Sequence, residues 1–186
     1  MTLTLLTPAT EDPVDLAEMK DHLRILHHDE DVRIAGYLKA ATAGIERRAG
    51  FALLPQTWRL TLDAAPTETI TLSPAPLFSV TEIAVKDKSG GETPVTASAY
   101  EVAGGLPGRV RAAEPWPAPG VKTGGVRIDF IAGFADAASL PADLKQAVKL
   151  LAAHFYEARE AASEEPLSIV PHTVDALLAP YRRIAL

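Results

Sequence analysis

The pattern of apolar side chains predicts helices towards both ends of the chain and strands between them. In residues 141–160, PADLKQAVKLLAAHFYEARE, apolar positions recur every three or four residues, which is the repeat of one helix face. That face consists of Leu144, Val148, Leu151, Phe155 and Ala158. Only Lys149 and His154 interrupt the apolar run from 147 to 156, so this long helix is predicted to be central and packed on most sides.

Two shorter helical patterns follow a short extended or loose lead. The first helix is predicted to begin at a capping Asp15. Its apolar stripe is Leu16, Met19, Leu23 and Leu26. The second helix runs from the acidic turn 28–31 to Ala49. Its predicted buried face is Ile34, Leu38, Ala41, Ile45 and Ala49. Gly36 and Gly44 each lower helix propensity by about 1 kcal/mol relative to alanine, which indicates close helix contacts at both positions.

From residue 53 to residue 134 the apolar positions form short alternating runs, which predict β-strands. The runs contain Trp58, Leu60, Leu62, Ile70, Leu72, Val80, Ile83, Val85, Tyr100, Val102, Val110, Val126, Ile128 and Phe130. Lys88-Ser89-Gly90-Gly91 predicts a hairpin turn. Residues 114–125, EPWPAPGVKTGG, predict an irregular exposed loop.

The last part of the chain predicts a linker, a short helix and a tail. Residues 161–172 contain two prolines and few apolar anchors, so we expect a flexible linker. The short helix is predicted to be capped by Thr173, with Leu177 and Leu178 as its apolar contacts. The tail 181–186, YRRIAL, is both apolar and basic. Two interpretations of this tail stay open: it docks on a partner, or it folds back on its own chain.

Together these elements predict an α+β protein that is mainly α. The predicted body is a helical bundle of residues 13–50 and 141–186, with two N-terminal helices, the long central helix and the short C-terminal helix. A β lobe, residues 53–134, is inserted into this bundle. With 186 residues, 47% of them hydrophobic, the chain is expected to form a single domain.

Composition excludes several classes of function. The absence of cysteine rules out disulfides, thiolate metal sites and thiol nucleophiles. The first residues show no signal-peptide pattern and no apolar run is long enough to span a membrane, so we expect a protein that is cytoplasmic at synthesis and has no membrane anchor. A net charge of −6 with scattered basic residues argues against a dedicated nucleic-acid-binding protein.

The candidate chemical motifs are weak. His154 and Glu157 have a spacing that suits a metal or an acid–base pair, but no HExxH motif or third ligand accompanies them, so a core or boundary histidine is the preferred interpretation. The run 27–31, HHDED, is interpreted as a solvated turn, and the glycines of 104–109 as a turn without the phosphate-loop Gly-Lys-Ser/Thr. We assign no catalytic, cofactor-binding or metal-binding residue and expect no cofactor; a small hydrolase using carboxylates or His154 remains an alternative.

Four stretches of the sequence, taken together, resemble a known protein family, although each stretch is a weak signal by itself. They are 13–24 (PVDLAEMKDHLR), 54–60 (LPQTWRL), 141–147 (PADLKQA) with His154, Tyr156, Glu157 and Arg159 downstream, and 174–182 (VDALLAPYR). In this order they resemble the head–tail connector proteins, also called adaptor or head-completion proteins, of long-tailed bacteriophages and related gene transfer agents. The resemblance is effectively full length.

The resemblance implies a structural protein without a catalytic site, in the neck of a phage or gene-transfer-agent particle. Members usually assemble as a twelve-membered ring under the portal protein, extend the DNA channel without binding DNA specifically, and offer a docking surface to a stopper or tail-completion protein. By this likeness the segment from Pro166 to Leu186 contacts the portal. The residues implied for this contact are Leu177, Leu178, Tyr181, Arg182, Arg183 and Ile184. Loops of the β lobe, especially 114–125, would then face neighbouring subunits or the tail.

Three alternative functions stay open, and each predicts a different experimental result. A stopper or other tail-completion protein would differ from the connector only in its position in the particle. A DNA-handling packaging factor would bind DNA in a salt-dependent way. The hydrolase alternative requires an activity that is lost on alanine substitution of His154 or Glu157 without loss of folding.

Overall fold

A computed structural model describes residues 1–66, 69–158 and 172–181 of the chain. These residues form eight β-strands in two antiparallel sheets and four α-helices. The strands are β1 (Thr2–Thr7), β2 (Gln56–Leu62), β3 (Ile70–Leu72), β4 (Leu77–Lys86), β5 (Glu92–Pro94), β6 (Tyr100–Ala103), β7 (Gly108–Ala112) and β8 (Val126–Ala132). The helices are α1 (Leu16–Leu23), α2 (Asp31–Ala49), α3 (Ala142–Ala158) and α4 (His172–Leu178).

The prediction of a mainly helical bundle is wrong. Helix makes up 34% and strand 29% of the structure, so the two kinds of element contribute almost equally. The large share of strand arises because β2, β4 and β8 pair along their lengths into one continuous sheet. The lead Thr2–Thr7 also adds a strand, because its backbone pairs with β2.

The chain divides into two compact units. The first, here called the β unit, contains Met1–Ala9 and Pro55–Ala135. The second, here called the helical unit, contains Thr10–Leu54 and Asp136–Leu186. Each unit is built from stretches that lie far apart in sequence, so neither folds from one continuous segment.

The β unit contains a five-stranded sheet in the order β1-β2-β8-β4-β5 and a three-stranded sheet in the order β3-β7-β6. In the larger sheet Trp58 is opposite Phe130 and Leu60 is opposite Ile128, so these four side chains share one face. Leu60, Ile128 and Phe130 are buried. The predicted alternation therefore marks the core face of this sheet.

The hairpin turn predicted at residues 88–91 is confirmed, since it joins β4 to β5. The Asp87 carboxylate accepts hydrogen bonds from Ser89 N at 2.7 Å and from Gly91 N at 2.9 Å. The Ser89 hydroxyl also donates to it, and these bonds lower the pKa of Asp87. Gly90 has a φ of 85°, a conformation that glycine adopts without steric cost.

The stretch 114–125 is irregular, as predicted, but it is not exposed throughout. The side chain of Trp116 is buried, and its Nε1 donates a hydrogen bond to the Ala99 carbonyl at 3.1 Å. Its ring lies edge-on to Tyr100, with the ring centroids 6.4 Å apart. Because an indole has both a large apolar surface and one donor, it holds this loop against the start of β6.

In the helical unit, α3 packs against α1, α2 and α4, which confirms the prediction of a central helix. The five buried residues of α2 are the five that its periodicity predicts, Ile34, Leu38, Ala41, Ile45 and Ala49. On α3 the predicted Leu144, Val148 and Leu151 are buried, while Phe155 and Ala158 are half-buried. The predicted faces thus hold best where two helices are in contact.

The first helix is capped as predicted but is shorter than expected. The Asp15 carboxylate accepts a hydrogen bond from Glu18 N at 2.6 Å. The helix ends at Leu23 because Arg24 adopts a left-handed conformation with a φ of 60°. Leu26, predicted as part of the buried stripe, therefore lies outside the helix and is 91% exposed.

Candidate assembly surfaces

The C-terminal helix α4, predicted to contact a partner, lies against the rest of the helical unit. Val174 and Leu178 are fully buried, and Leu177 is half-buried. Thr173 lies inside the first turn of α4 instead of capping it, because the helix begins at His172. Residues 159–171, which contain most of the predicted linker, and the predicted contact residues Arg182, Arg183 and Ile184 lie outside the described residues.

Two polar contacts fix this segment in place. Arg48 of α2 donates from Nε and Nη2 to the Asp175 carboxylate, at 2.6 and 2.9 Å. The Tyr181 hydroxyl donates to Asp143 Oδ1 at 2.7 Å, and its ring lies edge-on to Phe51 with centroids 5.5 Å apart. Burial and the hydrogen bond to Asp143 raise the pKa of Tyr181 to about 12. The stretch from His172 to Tyr181 therefore folds back on its own unit.

The acidic turn at 27–31 is more structured than the predicted solvated turn. Lys20 is largely buried, and its Nζ lies 2.6 Å from Asp31 Oδ1 and 3.1 Å from His28 Nδ1. Hydrogen bonds from Lys20 and His28 lower the pKa of Asp31. The neighbouring Glu30 accepts a hydrogen bond from the Tyr156 hydroxyl of α3. These contacts give the acids a structural role in joining α1, α2 and α3.

The candidate pair on α3 does not form a site within the described structure. His154 is half-buried beside Phe155, with ring centroids 6.3 Å apart, and Glu157 is exposed. In residues 1–66, 69–158 and 172–181, no group of three or more histidine or carboxylate side chains is placed to hold a metal ion. None of the helices in these ranges is long and apolar enough to span a bilayer.

A network of charged side chains on the five-stranded sheet was not predicted. Arg59 donates to both oxygens of Asp129, at 2.7 and 2.8 Å. The largely buried Arg127 contacts Glu82, Glu92 and Asp129. Burial alone would raise the pKa of Asp129, but the Arg59 hydrogen bond and the charge of Arg127 hold that pKa below its ordinary value.

The only sequence signal for this network is that its members occupy the polar positions of alternating strands. Arg59 and Asp129 are directly opposite in β2 and β8, and Glu82 is opposite Asp129 in β4. The residues meet only because four strands, β2, β8, β4 and β5, pair in one sheet. The network leaves most of these charges satisfied within the chain.

Apart from Met1, the large exposed apolar side chains among the described residues of the β unit lie in two groups, one on β1 and one on β6 and the segments that the Leu77–Gly105 bridge joins. The first group, here called the β1 patch, consists of Leu3, Leu5 and Leu6, which are 40%, 42% and 43% exposed. The second group, here called the β6 patch, consists of Phe78, Val102 and Leu106, which are 58%, 43% and 50% exposed. In the helical unit, Leu26 and Val32 are almost fully exposed. Such side chains are typical of assembly contacts when they occur in groups.

Comparison with known proteins gives matches over the whole chain. A chain of the virion of a native gene transfer agent (GTA) particle has a TM-score of 0.83 and 34% sequence identity, with 100% of this chain and 97% of that chain covered. A chain from the neck of the empty GTA particle, computed with C6 symmetry, has a TM-score of 0.82 and 35% identity at the same coverage. A chain from the neck of the native GTA particle, computed with C12 symmetry, has a TM-score of 0.81 and 34% identity, again at that coverage.

No curated protein sequence matches the chain significantly. The family described as "Head completion protein" matches residues 14–184, nearly the full length. The matched region contains the four stretches on which the resemblance was based, except for the first residue of the first stretch. The chain therefore belongs to the head completion protein family.

Proposed function

We propose that this chain is a non-enzymatic head–tail connector in the neck of a gene transfer agent or related phage particle. The observation that carries the proposal is the match to neck chains at 34–35% identity over 100% of this chain. Such identity over a full chain implies a shared fold and supports a shared role. The charged side chains also support a structural role, since the strongest contacts join strands and helices of the chain itself.

We further propose that the chain forms a ring of twelve subunits. The similar neck chains come from particles computed with C6 and C12 symmetry. A ring closed by rotation uses one head-to-tail contact repeated around the axis, so each subunit must present two different complementary surfaces.

The segment from Pro166 to Leu186 is our choice for the contact with the portal protein. Leu178 and Tyr181 hold α4 on the helical unit, so they position the segment. Leu177 is half-buried on the same helix. Direct contact with the portal is therefore proposed for Leu177 and for the residues after Tyr181, namely Arg182, Arg183 and Ile184.

The charge of the chain suits a channel through which DNA passes without being held. Twelve copies at −6 each would carry about −72, and a channel lined partly by these acidic residues would repel phosphate groups. Loops of the β unit, especially residues 114–125, are proposed to face neighbouring subunits or the stopper protein on the tail side. Trp116 would keep that loop in one position.

Electron microscopy of particles tests this function. A producer lacking the chain and a producer carrying a version truncated before Pro166 should both yield DNA-filled heads without tails, together with free tails in the same lysate. Full-length protein supplied in trans should restore tailed particles. Normal tailed particles from the deletion would refute the connector function, and normal particles from the truncation alone would refute the portal contact.

A further inference from the structure

The N-terminal strand β1 is an unprotected sheet edge. It is the first strand in the order β1-β2-β8-β4-β5, so only one of its sides is paired within the described structure. Its sequence, TLTLLT, contains no charge and no proline, and all six residues are exposed. Natural proteins usually cover or charge such an edge, because its free N–H and C=O groups pair readily with another strand.

The opposite edge of the same sheet is protected. Strand β5 has only three residues, and Pro94 has no N–H to donate. Glu92, at its start, is in an ion pair with Arg127 at 2.6 Å. The two edges thus differ in the features that prevent pairing, and only β1 is left open for it.

The side chains of β1 extend the apolar face of the sheet beyond its covered part. Leu3 is opposite the buried Leu60, and Leu5 is opposite Trp58. The Trp58 Nε1 is buried and finds no hydrogen-bond acceptor among the described residues. A register shift between Leu5 and Thr7 adds the third exposed leucine, Leu6. A second molecule lying against β1 would cover these leucines.

The β6 patch provides a second, different surface on the same unit. Strand β6 is an edge of the three-stranded sheet, and Val102 lies on it. Leu77 and Gly105 exchange two backbone hydrogen bonds of 3.0 and 3.1 Å. This antiparallel bridge brings the start of β4, which contains Phe78, close to the segment between β6 and β7, which contains Leu106. The patch therefore combines an edge strand, which has one charged residue, Glu101, with exposed apolar side chains.

We infer that the β1 edge of one copy pairs with the β6 edge of the next copy around the ring. The inference rests on the proposed ring and names its subunit contact. The two open edges belong to different sheets, so their pairing is head-to-tail and can be repeated by rotation. Pairing of β1 with β1 would instead close a dimer. In the ring, each copy would have its own β1 and its own β6 covered.

Cysteine cross-linking in particles tests this contact directly, because the natural chain has no cysteine. The Leu5→Cys, Val102→Cys double variant should give a ladder of multimers after treatment of purified tailed particles with a short bismaleimide. Each single variant should stay monomeric, because the two positions meet only between different copies. The matched control is Leu5→Cys with Leu26→Cys, in which the second cysteine is exposed on the helical unit and should give no ladder.

A monomer band from the double variant, in particles that contain the chain and carry tails, would overturn the inference and leave the connector function intact. Dimers from Leu5→Cys alone would overturn it in favour of β1–β1 pairing. Failure of the proposed function has a different signature, which is normal tailed particles from the deletion. The two failures are therefore distinguishable.

Wild-type protein gives an independent test that requires no substitution. Amide hydrogen exchange at residues 2–7 should be at least about tenfold slower in tailed particles than in the free chain, because the outer N–H groups of β1 become hydrogen-bonded. The amides of β5 serve as the internal control and should change little. Equal exchange of β1 in the two states would overturn the inference.

Discussion

At the scale of single residues, alanine in place of a glycine reports how closely α2 approaches α3. A Cβ added at Gly44 would lie 3.2 Å from Leu151 Cδ2, whereas a Cβ at Gly36 would meet no heavy atom within 4 Å. The expected close helix contact is therefore present at Gly44, and the expectation is wrong at Gly36. The two glycines lie in the same helix, α2, but differ in the atoms that surround them.

Gly36→Ala should raise the free energy of unfolding by about 1 kcal/mol, because alanine has the higher helix propensity and the added methyl group meets open space. Gly44→Ala should give a smaller gain or a loss, since Leu151 must move by a few tenths of an ångström to admit the methyl group. Urea unfolding followed by circular dichroism at 222 nm measures both. Equal gains at the two sites would contradict the packing described for Gly44.

A second residue-scale prediction concerns Tyr181 and pH. The pKa of about 12 in the folded protein is above the ordinary value of about 10, so the folded state keeps this proton where the unfolded chain loses it. The stabilisation is complete below about pH 10 and is lost as the pH rises to about 12. Tyr181→Phe should be about 1 kcal/mol less stable than wild type at pH 8.

The difference between wild type and Tyr181→Phe should shrink between pH 10 and pH 12. Thermal unfolding of the two proteins at matched pH values measures it, and the comparison cancels the titration of the other tyrosines. Phe51→Leu serves as a control, since it removes the ring contact and leaves the Tyr181 hydroxyl. A difference that is constant up to pH 12 would show that the hydroxyl does not bond to Asp143 in solution.

At the scale of elements, α4 combines packing and proposed docking on adjacent residues. Leu178 is fully buried and Leu177 is half-buried. Leu178→Ala should lower the free energy of unfolding by about 3 kcal/mol because it leaves a cavity, while Leu177→Ala should lower it by less than about 1 kcal/mol. Chemical unfolding of the purified variants measures this difference.

The same pair separates folding from portal binding. Leu177→Ala should weaken co-purification with the portal protein and leave the unfolding midpoint nearly unchanged. Co-purification lost only in Leu178→Ala, in proportion to its lower stability, would argue that α4 is structural and that the portal contact lies elsewhere.

The sequence predicts an element correctly where the local pattern of residue types is enough to decide its conformation. The five buried residues of α2 were predicted because a 3.6-residue repeat has one apolar face. The prediction that Leu26 belongs to the first helix is wrong because Arg24 ends α1 in a left-handed conformation. This conformation is usually adopted by glycine, so an arginine at this position gives no sequence signal for it. Trp116 was missed because a proline-rich loop carries no periodicity, so only the tertiary structure shows its contact with Ala99.

At the scale of the whole molecule, the net charge of −6 disfavours the binding of phosphate groups, and Arg48, Arg59 and Arg127 are paired within the chain. We predict that the free chain does not retard linear double-stranded DNA in a gel at 20 mM salt. The control is a charge-reversed variant, Glu11→Lys with Asp12→Lys and Glu114→Lys, which should bind more than wild type. Salt-sensitive binding by wild-type protein would support the packaging-factor alternative.

The sequence by itself determined the kinds of element, the buried face of α2 and most of that of α3, the hairpin turn and the family, because each depends on residues close together or on motifs in order. The tertiary structure decided the balance of helix and strand, since it depends on pairing between distant segments. It also decided the contacts of Arg59 with Asp129, which are 70 residues apart. The edge positions of β1 and β6 likewise follow only from the folded sheets, because the pairing of all the strands determines which strand lies outermost.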